Sequence, residues 1–408
     1  MNQTLHHPAP VRERTILMLQ GHPSPFWGQL SDGLNADGHR VIKIHLCLAD
    51  FIYWGRRPAT SYRGFYKNWR SWIGDLLQRE CVTDVLYYAD RLPYHADTLD
   101  AARALGVACH AIEFGYLRPD WLTIEPGAMG ALSSFPKDPA VIRAIAAETD
   151  DPDMVTRYPH SFPTEAFHEV TFSLLQAFGR PIYPFYNSDK VYWPLIDYGS
   201  WLVELAMSGK MARDAGRVQT AAASGAFEYN LIAMQLQADY QIRASSKYDH
   251  LSEFIEEVFA SFAKEAPPDR QIVVKLHPLD NGLERWFTCI PRIASQTGIG
   301  DRVHVIKGGN LSVLLQHSNG VVLVNSTVAI HAMRAGIPVI AKGGAIFDIP
   351  GLAHQGSLDQ FWVAPEPVDA TLFSAFERAL TTIQVKGSFY NPDGRTAAIT
   401  ELRRRFAV

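Results

Sequence analysis

The stretch "GVVLVNSTVAIHAMRAGIPVI", residues 320–340, decides the fold class. Its opening run is too short for a helix and apolar at successive positions, the pattern of a strand buried on both faces. Polar Asn325, Ser326 and Thr327 end that strand and open a helical segment closed by Gly336, after which "IPVIAKG" supplies another strand. Strand, helix and strand in so few residues form a βαβ unit and predict an α/β fold with a parallel sheet.

The same rhythm runs outward. Before this unit lie the apolar segment "FEYNLIAMQLQ", the helix "YDHLSEFIEEVFASFAKEA", the strands "QIVVKLHP" and "DRVHVIKG" and the helix "NLSVLLQHS". Near the start, "TILMLQG", "HRVIKIHLC", "TDVLYYAD" and "VACHAIE" are strands, and Phe26, Leu30 and Leu34 have helical spacing, so residues from about 12 to 120 form one parallel-sheet unit. From about 140 to 225 prolines and aromatics break the rhythm, as expected of a helical insertion and linker. The prediction is an α/β protein of two Rossmann-like lobes with a cleft between them. The N-terminal lobe spans 12–225 with its insertion at about 140–225, the C-terminal lobe spans 226–390, and 391–408 is a tail. No fixed-period repeat is present.

Composition narrows the functions. The chain has 408 residues, is 47% hydrophobic and carries a net charge of −4, which gives no bulk basic excess for nucleic acid. Cys47, Cys81, Cys109 and Cys289 lack CxxC spacing, arguing against zinc or disulfide scaffolds and for a reducing cytoplasm. "MNQTLHHPAPVRER" has no signal-type apolar core and no run reaches the length of a membrane span, so neither export nor spanning is expected.

In the C-terminal lobe, Asn325, Ser326 and Thr327 sit where a helix begins, and its unpaired N–H groups suit a phosphate. The ordinary alternative is a helix cap. His277, stiffened by Pro278, ends a second strand of the same lobe and can donate to phosphate or ribose. Lys275 shares its sheet face, either adding positive charge or snorkelling to solvent. In the other lobe "LQGHPSPFWGQL" lacks both GxGxxG and the P-loop pattern, which disfavours nicotinamide and P-loop chemistry and leaves Gly21 in a turn able to wrap a sugar.

"HAIEFGYLRPDW", residues 110–121, holds Glu113 at a strand tip, then Gly115, which admits a ligand near the backbone, and Arg118, suited to an anionic substrate. Glu113 has the features of a nucleophile or general base in sugar chemistry, and Glu125 adds a second acid nearby. Each is otherwise a solvated acid or a salt-bridge partner. No DxD cluster of the kind that holds a nucleotide-bound divalent ion stands at these strand ends, and no metal and no cofactor is expected. "RRPATSYRGFYKNWRSW", residues 56–72, mixes bases and aromatic rings as a lipid-surface segment does, and equally as a solvated loop with core aromatics does; the "ELRRRFAV" tail could add charge to it.

Taken in order, "LQGHPSPFWGQLSDGL", "EFGYLRPDWLTIE", "YQIRASSKY", "VVKLHPLDNG", "VNSTVAIHA" and "GAIFDIPGLAHQGSLDQFW" resemble the capsule polysaccharide biosynthesis family, in particular its KpsS-type members, across roughly residues 15–365. The resemblance implies a bacterial glycosyltransferase of GT-B type. It would transfer 3-deoxy-D-manno-octulosonic acid (Kdo) from CMP-Kdo, with retention, to a lyso-phosphatidylglycerol-based lipid anchor. The expected place is the cytoplasmic face of the inner membrane, in peripheral association and in company with other capsule assembly proteins. It also implies that His277-Pro278 and Ser326-Thr327 hold CMP. One departure stands out. Related Kdo transferases carry two acids before the glycine and the second is implicated as the catalytic carboxylate, whereas here Phe114 follows Glu113. Glu113, Asp120 or Glu125 would have to take that role, or activity is altered. Two alternatives follow: transfer from another CMP-sugar such as CMP-sialic acid, or a non-catalytic capsule assembly or export protein.

Overall fold

A computed structural model describes residues 13–188 and 190–407; the amino-terminal stretch, where no signal-type core is expected, lies outside them. The chain divides into two compact units, each discontinuous in sequence. One gathers the chain up to Ala128, Asp153–Ser188 and everything from Ile383 onward, and the other gathers Met129–Pro152 and the stretch ending at Thr382.

In the first unit, β1 (Thr15–Met18), β2 (Arg40–His45), β3 (Thr60–Ser61), β4 (Asp84–Tyr88), β5 (Ala108–Phe114) and β6 (Trp121–Pro126) share one sheet. In the second, β7 (Tyr229–Ala233), β8 (Gln271–Leu276), β9 (Val303–Lys307), β10 (Val321–Leu323) and β11 (Val339–Ala341) run in the order β11-β10-β7-β8-β9, all parallel. A last strand, β12 (Gln384–Lys386), returns to the first sheet, whose order is β12-β6-β5-β4-β1-β2-β3. Strand order thus reverses beside β1 in one sheet and beside β7 in the other. Open α/β sheets bind ligands at such points, outside the carboxyl ends of the strands.

The expected α/β class of two Rossmann-like units is what the chain adopts, with corrections at the edges. Beyond the expected parallel unit, β6 turns back antiparallel on β5, and β12 adds antiparallel to β6. The expected lobe boundaries also differ from the packing. Helix Pro194–Ala223 lies along β9 with Met211 and Ala215 buried, so it belongs to the second unit. Residues 391–408 are not a tail, because helix Pro392–Phe406 sends Ala398, Leu402 and Phe406 into the core around Ile16, Phe26 and Ile112. Asn391 caps that helix by accepting from the Asp393 and Gly394 amides.

Helix Leu251–Glu265 shows why the second unit holds together. Leu251, Phe254, Ile255, Val258, Phe259 and Phe262 recur at helical spacing and are all buried against Ile272, Val274 and Val322 of the sheet. The His250 ring caps its start by accepting from the Ser252 amide, and Glu253 and Lys264 match the dipole at its two ends. Burying each large side chain contributes about 1.5–3 kcal/mol, and Phe259→Ala would cost about 3–5 kcal/mol by leaving a cavity.

Candidate functional site

In the second unit the strand ends collect most of the residues singled out from sequence. Ile272, Val274 and Leu276 point into the core, so alternation puts Val273, Lys275 and then His277 toward the other face. Lys275 is only 9% exposed, which excludes the snorkelling alternative. No carboxylate pairs with it among the described residues, and burial pushes its ammonium below the ordinary lysine range. His277 is half-buried, and its Nδ1 accepts from the Leu279 amide at 3.1 Å, so Nε2 carries the proton of the neutral ring. Pro278, exposed, shapes the turn in which the Asp280 amide donates to the His277 carbonyl.

Asn325, Ser326 and Thr327 follow β10, which lies one strand beyond β7 from β8, so the two groups share an edge at about 10 Å separation. The Ser326 hydroxyl accepts from the Val328 amide at 3.3 Å, the capping alternative raised by the sequence. Thr327 makes no such cap, and helix Val328–Arg334 is short. Asn325 is fastened by Gln235 at the end of β7: Gln235 Nε2 donates to Asn325 Oδ1 at 2.8 Å, the Asn325 amide donates to Gln235 Oε1 at 3.1 Å, and Asn325 Nδ2 donates to the Gln241 carbonyl at 3.2 Å. Gln235 escaped the sequence reading because a lone glutamine after a strand carries no pattern.

In the first unit, β5 pairs Glu113 with Thr123 of β6, which leaves the half-buried Glu113 side chain on the face opposite Phe114. Phe114 faces the core side, with its ring centroid 4.9 Å from that of His22 and 5.2 Å from that of Phe389. The exposed Arg118 lays its guanidinium 5.4 Å from the centre of the Phe114 ring, while its Nε donates to the Gly115 carbonyl.

Four expectations need correction here. Gly115 does not open the backbone to a ligand: a Cβ there would lie 2.6 Å from the Trp121 carbonyl oxygen and from Gln384 Oε1, so the chain itself occupies the space. Gly21 is likewise filled, by the Trp27 indole at 2.2 Å. Glu125 is fully buried inside the sheet and accepts from the Tyr116 hydroxyl at 3.2 Å, which removes it from substrate reach. Asp120 clamps the backbone by accepting from the Arg157 and Tyr158 amides.

The basic-aromatic segment divides in two. Trp69 and Tyr62 are buried, while Arg57 pairs with Asp32 and Arg70 with Asp100. Phe65 stays exposed, stacked on Phe185 at 3.9 Å with the Lys67 ammonium 5.7 Å from its ring centre, and Phe51, Ile52, Phe178 and Ile182 are exposed as well. The arginines of "ELRRRFAV" do not add to it, because Arg403 pairs with Asp37 and Arg404 and Arg405 pair with Glu401.

The second unit therefore gathers polar and charged groups at the carboxyl ends of parallel strands next to a reversal of strand order, the arrangement of ligand-binding open-sheet α/β proteins. The chain belongs to the capsule polysaccharide biosynthesis protein family, whose model matches residues 83–390. It is similar to the capsule polysaccharide export protein KpsS of Escherichia coli, with 30% identity over 390 residues covering 92% of this chain and 97% of that protein. The capsule polysaccharide modification protein LipB of Neisseria meningitidis is 27% identical over 389 residues, covering 92% of this chain and 91% of the other. Among solved structures it is similar to Thermosulfurimonas dismutans KpsC, beta Kdo 2,7 transferase, at a TM-score of 0.45 and 14% identity, covering 96% of this chain and 99% of that one. No helix among the described residues is long and apolar enough to cross a membrane.

Proposed function

We propose that this chain is a capsule glycosyltransferase that moves Kdo from CMP-Kdo to a lyso-phosphatidylglycerol-type lipid acceptor at the cytoplasmic face of the inner membrane. The observation that carries the reading is Lys275, a buried ammonium with no acid paired to it among the described residues, at a strand end beside His277. Burial makes such a cation costly until an anion arrives, and the phosphate of a CMP-activated sugar is an anion whose charge grows as the sugar leaves. His277 Nε2–H would donate to the same phosphate, and the Asn325–Thr327 turn would bound the nucleotide. The scheme calls on no metal. Family membership and the order of the six motifs favour Kdo as the sugar, and in the first unit Arg118 suits an anionic group. The exposed Phe65, Phe178 and Phe185 with their neighbouring bases suit contact with anionic lipid.

The test is release of CMP from CMP-Kdo in the presence of a synthetic lyso-phosphatidylglycerol acceptor, run beside CMP-sialic acid. CMP-Kdo should be consumed only with acceptor present. Consumption of CMP-sialic acid in its place would reassign the donor. Equal sedimentation with neutral and anionic liposomes would discard the lipid surface. Phe114 favours a second reading, a non-catalytic capsule assembly protein; turnover created by Phe114→Glu where the parent has none would establish it.

A further inference from the structure

His22 stands just past β1, beside the reversal of strand order in the first sheet, and is 3% exposed. Four rings enclose it: Phe389 stacked at 4.7 Å, and Tyr88, Phe114 and Tyr390 edge-on at 4.9, 4.9 and 5.0 Å. A polar ring held among aromatics needs hydrogen-bond partners, and its Nε2 finds two. Glu169 Oε1 lies 3.3 Å away and the Tyr390 hydroxyl 3.2 Å away.

The Tyr390 hydroxyl also donates to Glu169 Oε1, at 3.4 Å. Burial first, and then the Glu169 charge, raise the pKa of that phenol and keep its proton on. Glu169 Oε1 is therefore fixed by Tyr390 and His22 together, while half of the Glu169 side chain remains exposed. Among the described residues His22 Nδ1 is buried without a partner, and the His22 ring lines a cavity of ≈ 20 Å³ with Lys43, Asp50 and Tyr53, about the size of one water.

Glu169 comes from helix Phe162–Phe178, within the segment that the sequence presents as a linker. The fold delivers it to the side of the sheet on which Phe114 stands. The Phe114 ring stands beside both the Arg118 guanidinium and His22, and burial first, then the charges of Glu113 and Glu169, raise the pKa of the Tyr88 hydroxyl. The first unit thus has two carboxylates in different settings: Glu113 on one face of β5, and Glu169 at the strand ends on the other.

We propose that Glu169 is the second acid of this site, the general base that activates the acceptor hydroxyl, with His22 and Tyr390 as its positioning residues. The inference rests on the glycosyl-transfer reading and deepens it. In the step, the acceptor oxygen bonds to the anomeric carbon of the sugar. The bond from that carbon to its leaving oxygen breaks with the electron pair going to that oxygen, and the hydroxyl proton passes to the Glu169 carboxylate and on to water. Glu169 comes to the strand ends from a helix instead of from β5.

The experiment measures transfer from CMP-Kdo to a lyso-phosphatidylglycerol acceptor across pH, using the full chain and its Glu169→Gln, Glu169→Asp and His22→Gln variants. CMP affinity and thermal unfolding are measured alongside. Glu169→Gln should lower the transfer rate by about 10²–10⁴-fold, flatten the acidic limb of the pH profile and leave CMP affinity unchanged. Glu169→Asp should recover part of the rate, and His22→Gln should shift the acidic limb. Wild-type turnover retained within about twofold in Glu169→Gln, with the same pH profile, would overturn this inference alone. A wild type that turns over neither CMP-Kdo nor CMP-sialic acid would overturn the glycosyl-transfer reading with it.

Discussion

Gln235 and Asn325 hold each other by two hydrogen bonds, side chain to side chain at 2.8 Å and backbone amide to side chain at 3.1 Å, and so tie the ends of β7 and β10 where the strand order of the second sheet reverses. Removing either partner strands a polar group at the edge of a buried strand. Gln235→Ala and Asn325→Ala should each cost about 1–3 kcal/mol of stability. The double variant should show a coupling of roughly 1 kcal/mol in a denaturation cycle. Strict additivity would mean that the pair does not hold the turn.

Lys275 gives a pH-dependent prediction. Its pKa is lowered in the folded chain from an ordinary 10.5, so between the lowered value and 10.5 the unfolded chain binds more protons. Stability therefore rises with pH through that window, and below it the buried ammonium carries its full cost. Lys275→Met removes this cost. The variant should be more stable than wild type at neutral pH, with the difference shrinking as pH approaches 10.5. Its affinity for CMP should fall by about 10–100-fold, the loss of one charge-assisted contact. Calorimetry and thermal unfolding read both effects, and unchanged CMP affinity would remove Lys275 from the site.

Asp120 and Glu113 should separate structure from chemistry. Asp120 sits at φ 65° and holds the amides of Arg157 and Tyr158, so Asp120→Ala leaves two donors without their acceptor. The expected loss is about 1–3 kcal/mol, seen as an unfolding temperature lower by about 2–4 °C per kcal/mol, with the rate per folded molecule preserved. Glu113→Gln should do the reverse: stability within about 0.5 kcal/mol of wild type and transfer slowed by 10²-fold or more, on the order of a lost catalytic carboxylate. Equal rates for Glu113→Gln and wild type would remove Glu113 from the reaction.

Gly115→Ala places a methyl group against the Trp121 carbonyl oxygen, which belongs to the neighbouring strand and has little room to retreat. The substitution should cost about 1–3 kcal/mol by overpacking, with CMP affinity unchanged. A weakened ligand with unaltered unfolding would restore the idea that Gly115 makes room for substrate.

Much of the site was legible wherever a residue's position follows from its own strand. Lys275 and His277 are spaced two apart, and alternation alone puts them on one face. The same rule placed Glu113 and Phe114 on opposite faces of β5, as the pairing of Glu113 with Thr123 bears out. Gly115, Asp120 and Glu125 were misjudged because their partners, Gln384, Arg157 and Tyr158, and Tyr116, are fixed by a sheet edge, a distant loop and an antiparallel turn that no local pattern announces.

From its sequence alone the chain determined that it folds as two α/β units built mainly on parallel strands and which strand ends carry polar groups, since both follow from the local alternation and spacing of apolar side chains. The tertiary structure alone decided that helix Pro392–Phe406 closes the first unit and that Glu169 meets His22 across 147 positions of chain. Contacts between segments so far apart depend on which surfaces pack together over the whole core, and the order of residues in either segment does not encode them.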